Sequence, residues 1–96
     1  LEYVMVGTDT PHLLLFDMVA TPNPFVDKVN FKFFLPHASQ VDLVVLNLAG
    51  QEVFRFNDRL LDGFHDLPVD LSQGQLFVYR LLVDGQQRKS GKLIRE

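Results

Sequence analysis

The sequence predicts an all-β sandwich of six to eight short strands, and three observations carry that prediction. Apolar and polar residues alternate in several runs, as in Val29-Asn30-Phe31-Lys32-Phe33, the pattern of a sheet with one buried and one wet face. Turn signals built on Gly, Pro, Asn and Asp recur at intervals of about 8–12 residues, the spacing of short strands in a sandwich. No stretch specifies a helix. At 96 residues the chain holds one domain.

The elements follow in order. Leu13-Leu14-Leu15-Phe16 and Met18-Val19 fit helix or strand by pattern alone, but Pro11 and Pro22 confine the run to a length that favours a strand. Residues 1–12 read as a linker or as the last strand of a preceding domain, with Tyr3–Val6 as the strand in question; residues 13–96 form the domain itself. After the alternating run at Val29–Phe33, Pro36 stops the strand and His37-Ala38-Ser39-Gln40 makes a loop. Val41–Leu48 is apolar on both faces over its middle, which suits a central strand. Ala49-Gly50 turns the chain into a return strand, Val53-Phe54-Arg55-Phe56. Asp58-Arg59 and Asp62-Gly63 are read as punctuation. His65–Val69 alternates again, and Pro68 places that strand at an edge or ends it early. Ser72-Gln73-Gly74-Gln75 is a further turn. Leu76–Val83 is the clearest strand, with Phe77, Tyr79, Leu81 and Val83 on one face. Asp84-Gly85 is the strongest hairpin signal, so Gln86–Glu96 pairs back against it.

Composition narrows the function classes. A hydrophobic fraction of 47% with nine Phe argues for a packed core and against disorder. The net charge of −3 offers no general field for nucleic acid or an anionic membrane. With no cysteine, disulfides and cysteine-based zinc sites are excluded. Apolar runs of four residues fall far short of the ~20 needed for a membrane span. No basic stretch followed by an apolar one marks a signal peptide at Leu1, so an exported protein would carry its signal upstream.

Residues able to do chemistry are sparse. Asp58, Asp62, His65, Asp66 and Asp70 cluster in sequence, but Gly63 and Pro68 oppose the helix that would align them, and no calcium-loop spacing is present. They are read as solvated carboxylates. His12, His37 and His65 show no metal spacing, and Ser39, Ser72 and Ser90 lie in turns without a nucleophile elbow. The aromatic residues are read as core rather than as a stacking platform, because their placement follows the strand period. Neither a catalytic residue nor a metal or cofactor is expected. Arg88, Lys89, Lys92 and Arg95 gather near the end of the sequence, either as charge on an edge strand or as a recognition tail.

A series of motifs adds a resemblance. Thr21-Pro22-Asn23-Pro24-Phe25, then Phe34-Leu35-Pro36, then Asn47-Leu48-Ala49-Gly50-Gln51-Glu52-Val53, and finally Gly91-Lys92-Leu93-Ile94-Arg95-Glu96 resemble, in order and spacing, the C-terminal sorting domains of type IX (Por) secretion substrates. The similarity spans about residues 14–96. Two places depart from the family's form: Leu46 stands where an aromatic is common, and the run Gly74–Arg80 lacks a Gly-x-Tyr motif. The resemblance implies an immunoglobulin-like antiparallel sandwich of about seven strands. It implies a non-enzymatic domain that carries an upstream cargo domain from the periplasm to the outer surface of a Gram-negative bacterium, or into the medium. The implied partners are an outer-membrane translocon and a sortase-like protease, which in some members leaves the domain uncleaved. On this reading Lys92, Leu93, Ile94, Arg95 and Glu96 are the recognition residues on a strand whose end stays exposed. Pro22, Asn23, Pro24, Gly50 and Gly74 are structural.

Two other readings stand beside it. One is an immunoglobulin-like structural or assembly module, similar to that of flagellar hook-capping proteins. The other is a small domain binding sugar or calcium. Self-association by strand exchange is a further expectation for a sandwich with an exposed final strand.

Overall fold

Seven β-strands build two antiparallel sheets in the structure, a computed structural model that describes residues 18–96. The strands are β1 (Val19–Thr21), β2 (Lys28–Leu35), β3 (Ser39–Asn47), β4 (Glu52–Leu60), β5 (Gly63–Asp70), β6 (Leu76–Val83) and β7 (Gln86–Ile94). One sheet has the order β1-β2-β5 and the other β4-β3-β6-β7. The result is the immunoglobulin-like sandwich expected from the sequence. Its fourth strand pairs with the third, whereas in constant-type immunoglobulin domains the fourth joins the opposite sheet. The expectations for Tyr3–Val6, Leu13–Phe16 and the linker at 1–12 lie outside the described residues.

The period-two pattern explains the core directly. Val29, Phe31, Phe33 and Leu35 on β2 face Val41, Leu43 and Val45 on β3 and Phe77, Tyr79, Leu81 and Val83 on β6 within one buried cluster. Phe31 meets Tyr79 edge-on at 5.2 Å between ring centroids, and Phe25 lies 6.1 Å from Phe77. β3 lies between β4 and β6, and Val44 on its other face is also buried, as its two-sided apolar pattern predicts. Pro68 sits on β5, an edge strand, where its missing N–H costs no ladder bond.

Three boundaries differ from the sequence reading. Asp58-Arg59 does not break the chain: β4 runs on to Leu60, with Asp58 opposite Val41 and Arg59 opposite Gln40. Charged residues are read as turn formers when seen alone, yet an edge strand presents them to water at no cost. The loop after Pro36 is shorter than expected, because Ser39 is already in β3. Its hydroxyl donates to the His37 carbonyl at 2.9 Å and is fully buried. β5 runs from Gly63 to Asp70, longer at both ends than the alternating His65–Val69, and of the two expectations for Pro68 the edge position holds.

The Asp84-Gly85 turn joins β6 to β7 with both residues at positive φ, 52° and 82°, as a two-residue hairpin of matching twist requires. Asp84 is held by two further bonds: its amide donates to the Gln40 carbonyl at 2.8 Å, and its Oδ1 accepts from the Gln40 amide at 2.9 Å. That exchange ties the β6–β7 hairpin to the start of β3.

Candidate functional site

The end of β7 is where the residues singled out by sequence come together. β7 lies at the edge of the four-stranded sheet, paired with β6 along one side. In this register Lys92 and Ile94 turn their backbone groups away from β6, and an edge strand would leave them to water. Asn23 takes them instead. Its Nδ2 donates to the Lys92 carbonyl at 3.0 Å, and its Oδ1 accepts from the Ile94 amide at 3.0 Å. One side-chain amide thus copies the donor and acceptor pair of a neighbouring strand.

Phe25 continues the pairing through its backbone. Its amide donates to the Ile94 carbonyl at 2.8 Å, and its carbonyl accepts from the Glu96 amide at 2.7 Å, a parallel bridge centred on Arg95. The Phe25 ring is fully buried among the core residues, so the bridge is anchored from beneath. The Arg95 amide donates the other way, to the Gln75 carbonyl at 2.7 Å. Gln75 follows Gly74, whose φ of +90° suits a residue without a Cβ. A Cβ there would also stand 3.0 Å from the Phe77 ring. The tail therefore lies between two loops, with a backbone bond to each.

Side chains in the tail alternate. Leu93 is fully buried and Arg95 is half-buried, whereas Lys92, Ile94 and Glu96 face solvent. The Nε of Arg95 is buried, and among the described residues it has no acceptor. Just before the tail, Gly91 lies opposite Tyr79 and is so close that a Cβ would fall 2.6 Å from the phenol oxygen. Burial pushes the Tyr79 phenol above its ordinary pKa.

The structure thus brings Pro22, Asn23, Pro24, Gly74 and Lys92–Glu96 to one end of the sandwich. The β3–β4 turn holding Gly50, at φ +81°, begins at Asn47, which shares a shallow hollow with Gly74 and Gln75. Asn47 organises that turn: its Oδ1 accepts from the amides of Ala49 and Gln51, each at 3.0 Å. One expectation needs correction. Of the recognition residues expected on an exposed strand end, Lys92, Ile94 and Glu96 are exposed, but Leu93 is fully buried in the core and the backbone is bonded on both sides. Sequence reasoning gave Asn23 a local role and missed its bond to Ile94 across 71 residues; its one signal is a hydrogen-bonding side chain fixed between two prolines.

Elsewhere the chemistry is thin. Asp58 lies on β4, Asp62 in the following turn, and His65, Asp66 and Asp70 along β5. Among the described residues no three His, Asp or Glu side chains gather as a metal cage. His65 donates from Nε2 to the Leu61 carbonyl at 2.6 Å, and the Ser39 hydroxyl is spent on the His37 carbonyl. Among the described residues the aromatic side chains belong to the core or pack against it with two exceptions: Phe64 is 87% exposed, and half-buried Phe34 lies beside it on the outer face of the three-stranded sheet. Compared with protein-family models and with curated proteins, the chain gives no match.

Proposed function

We propose that this chain is a non-enzymatic sorting domain, similar to those of type IX secretion substrates, that directs the protein bearing it through the outer-membrane translocon to the cell surface or the medium. The observation that carries the reading is the Asn23 clamp. The Pro-Asn-Pro-Phe motif and the basic, aliphatic tail resemble the family independently, and they lie at opposite ends of the described chain. In the fold they form one feature, in which Asn23 and Phe25 hold Lys92–Glu96 in a fixed pose. A receptor then reads Lys92, Ile94 and Glu96 as a preorganised surface, without the cost of ordering a loose tail. Leu93 anchors that surface from the core, and the sortase-like protease acts upstream of the folded unit. The domain needs no cofactor for this role.

The same contacts favour a second reading. Leu93 and the tail's backbone bonds serve the fold whether or not anything reads the surface, as they would in an immunoglobulin-like assembly module.

The test separates surface from fold. A periplasm-targeted fluorescent reporter is fused to residues 11–96 and expressed in a type IX-competent bacterium, with a second fusion carrying Lys92→Ser and Ile94→Ser. Deleting Lys92–Glu96 is a poorer probe, because it also removes Leu93 from the core. Release of the parent fusion and retention of the double variant, with melting temperatures within a few degrees, is the expected result. Equal release of both, or retention of both in the periplasm, overturns the sorting reading and favours the module.

A further inference from the structure

The outer face of the three-stranded sheet carries a pattern that the proposed function does not use. Outward residues fall in rows set by the strand register. One row holds Lys32 on β2 opposite Asp66 on β5, and the next holds Phe34 opposite Phe64. Val19 on β1 extends the first row beyond Lys32. Phe64 is 87% exposed and Val19 53%, and the two Phe rings lean together at 4.9 Å. A trough of about 460 Å³ lies over these residues. Lys32 and Asp66 are both exposed, and among the described residues neither side chain makes an ion pair or hydrogen bond. An exposed apolar patch rimmed by charge is the usual mark of an interaction surface.

The register identifies the occupant. A two-fold axis lying along the strands, between β2 and β5, would place β2 of one copy over β5 of another at the same height. Lys32 then faces Asp66 of the second copy, and Asp66 faces its Lys32. Phe34 covers Phe64 of the second copy, and the reverse contact forms with it. Two sheets packed face to face with nearly aligned strands are an ordinary arrangement, and a two-fold interface must be complementary to itself. This row pattern is complementary to itself, setting charge against opposite charge and ring against ring. From it we infer that the β1-β2-β5 face is the contact surface of a homodimer. Three strands about 14 Å across and about 27 Å long make a face of roughly 400 Å², about half the ~800 Å² per partner of a standard interface. The dimer is therefore weak and reversible. It differs from strand exchange through β7, whose edge beyond Lys92 is already occupied by Asn23 and Phe25.

Sedimentation velocity on the full chain from about 10 µM to about 1 mM tests the inference. The expected result is a concentration-dependent shift from monomer to dimer, weakened at least about tenfold by Lys32→Asp or by Asp66→Lys, since each reversal juxtaposes like charges twice. Mixing those two variants restores dimer, because each then supplies the charge that the other lacks. Phe64→Ser, at an exposed position that leaves the fold intact, abolishes it. A monomer at all concentrations overturns the proposal. So does a dimer indifferent to Phe64→Ser, or a mixture no better than its parts; those results would assign the association to strand exchange or the face to another kind of partner.

Discussion

β4 and β7 are the two edges of one sheet, and each meets the edge-strand problem differently. β4 has no fully buried residue; Phe54, Phe56 and Leu60 only lean against the core. Its outer side is defended by charge, with Glu52, Arg55, Asp58 and Arg59 spaced along it. β7 begins in the same way, with Arg88 and Lys89, but its last residues are closed by bonds from Asn23 and Phe25 and anchored by Leu93. Charge guards an edge without fixing it. A clamp fixes the strand and leaves alternate side chains presented in one pose, which is what a surface meant to be read requires.

Leu93 should show the largest difference between the two edges. It is fully buried, and Leu93→Ala removes its side chain from the core cluster that also holds Phe25 and Phe77, at a cost of about 2–5 kcal/mol. On β4, Val53 is 43% exposed, and Val53→Ala should stay within about 0.5 kcal/mol. Urea unfolding of both variants measures the contrast. Similar losses would mean that β7 is no better anchored than β4.

Gly91 comes next. Gly91→Ala places a methyl group against the Tyr79 ring, which is itself fixed edge-on against Phe31. An ordinary surface strand gains from replacing Gly with Ala. Here overpacking dominates, and the variant should lose about 1–3 kcal/mol. Combining it with Tyr79→Phe, which removes the oxygen nearest the new methyl, should recover part of the loss in thermal melts. No recovery would place the strain elsewhere.

How far the sequence revealed this architecture depends on the range of the interaction. The strands from β2 to β7 were legible because alternation is local, and Asp84-Gly85 announced its hairpin for the same reason. Asp58-Arg59 misled because polarity marks exposure, and an exposed strand edge looks like a turn when its neighbours are unknown. The outward placement of Phe34 and Phe64 was implicit in their positions: Phe33 and His65 occupy the inward phase, so the adjacent residues must face out. The clamp was not legible as geometry. A side-chain amide bonding a backbone 71 residues away leaves no period and no spacing. Only the resemblance had singled out both of its halves.

Asn23 and Asn47 make the comparison sharper, since each asparagine serves one edge strand. Asn47 bonds within the β3–β4 turn, over no more than four residues, whereas Asn23 joins the two ends of the described chain. Either Asn→Ala change removes exposed hydrogen bonds and should cost about 0.5–1.5 kcal/mol. Amide hydrogen exchange distinguishes them. Asn23→Ala should speed exchange at Ile94, Phe25 and Glu96, while Asn47→Ala should speed it at Ala49 and Gln51 and leave the tail protected. Unchanged protection at Ile94 in the first variant would remove Asn23 from the clamp.

Arg55 should give the smallest effect, and its smallness is informative. It bridges Glu52 at 3.1 Å and Asp42 at 3.3 Å, the best-formed charge network on the β4 edge. Arg55 is nearly half exposed and Glu52 equally so, so water screens both pairs. Exposed ion pairs contribute about 0–1 kcal/mol. Arg55→Ala should therefore lower stability by less than Asn23→Ala, and the difference from the parent protein should shrink further at about 0.5 M salt. If charge on β4 only guards the edge, the variant's larger change will be a greater tendency to associate, measured by light scattering at matched stability. A loss of stability comparable to that of Leu93→Ala would show instead that the β4 network fixes its strand as firmly as the clamp fixes β7.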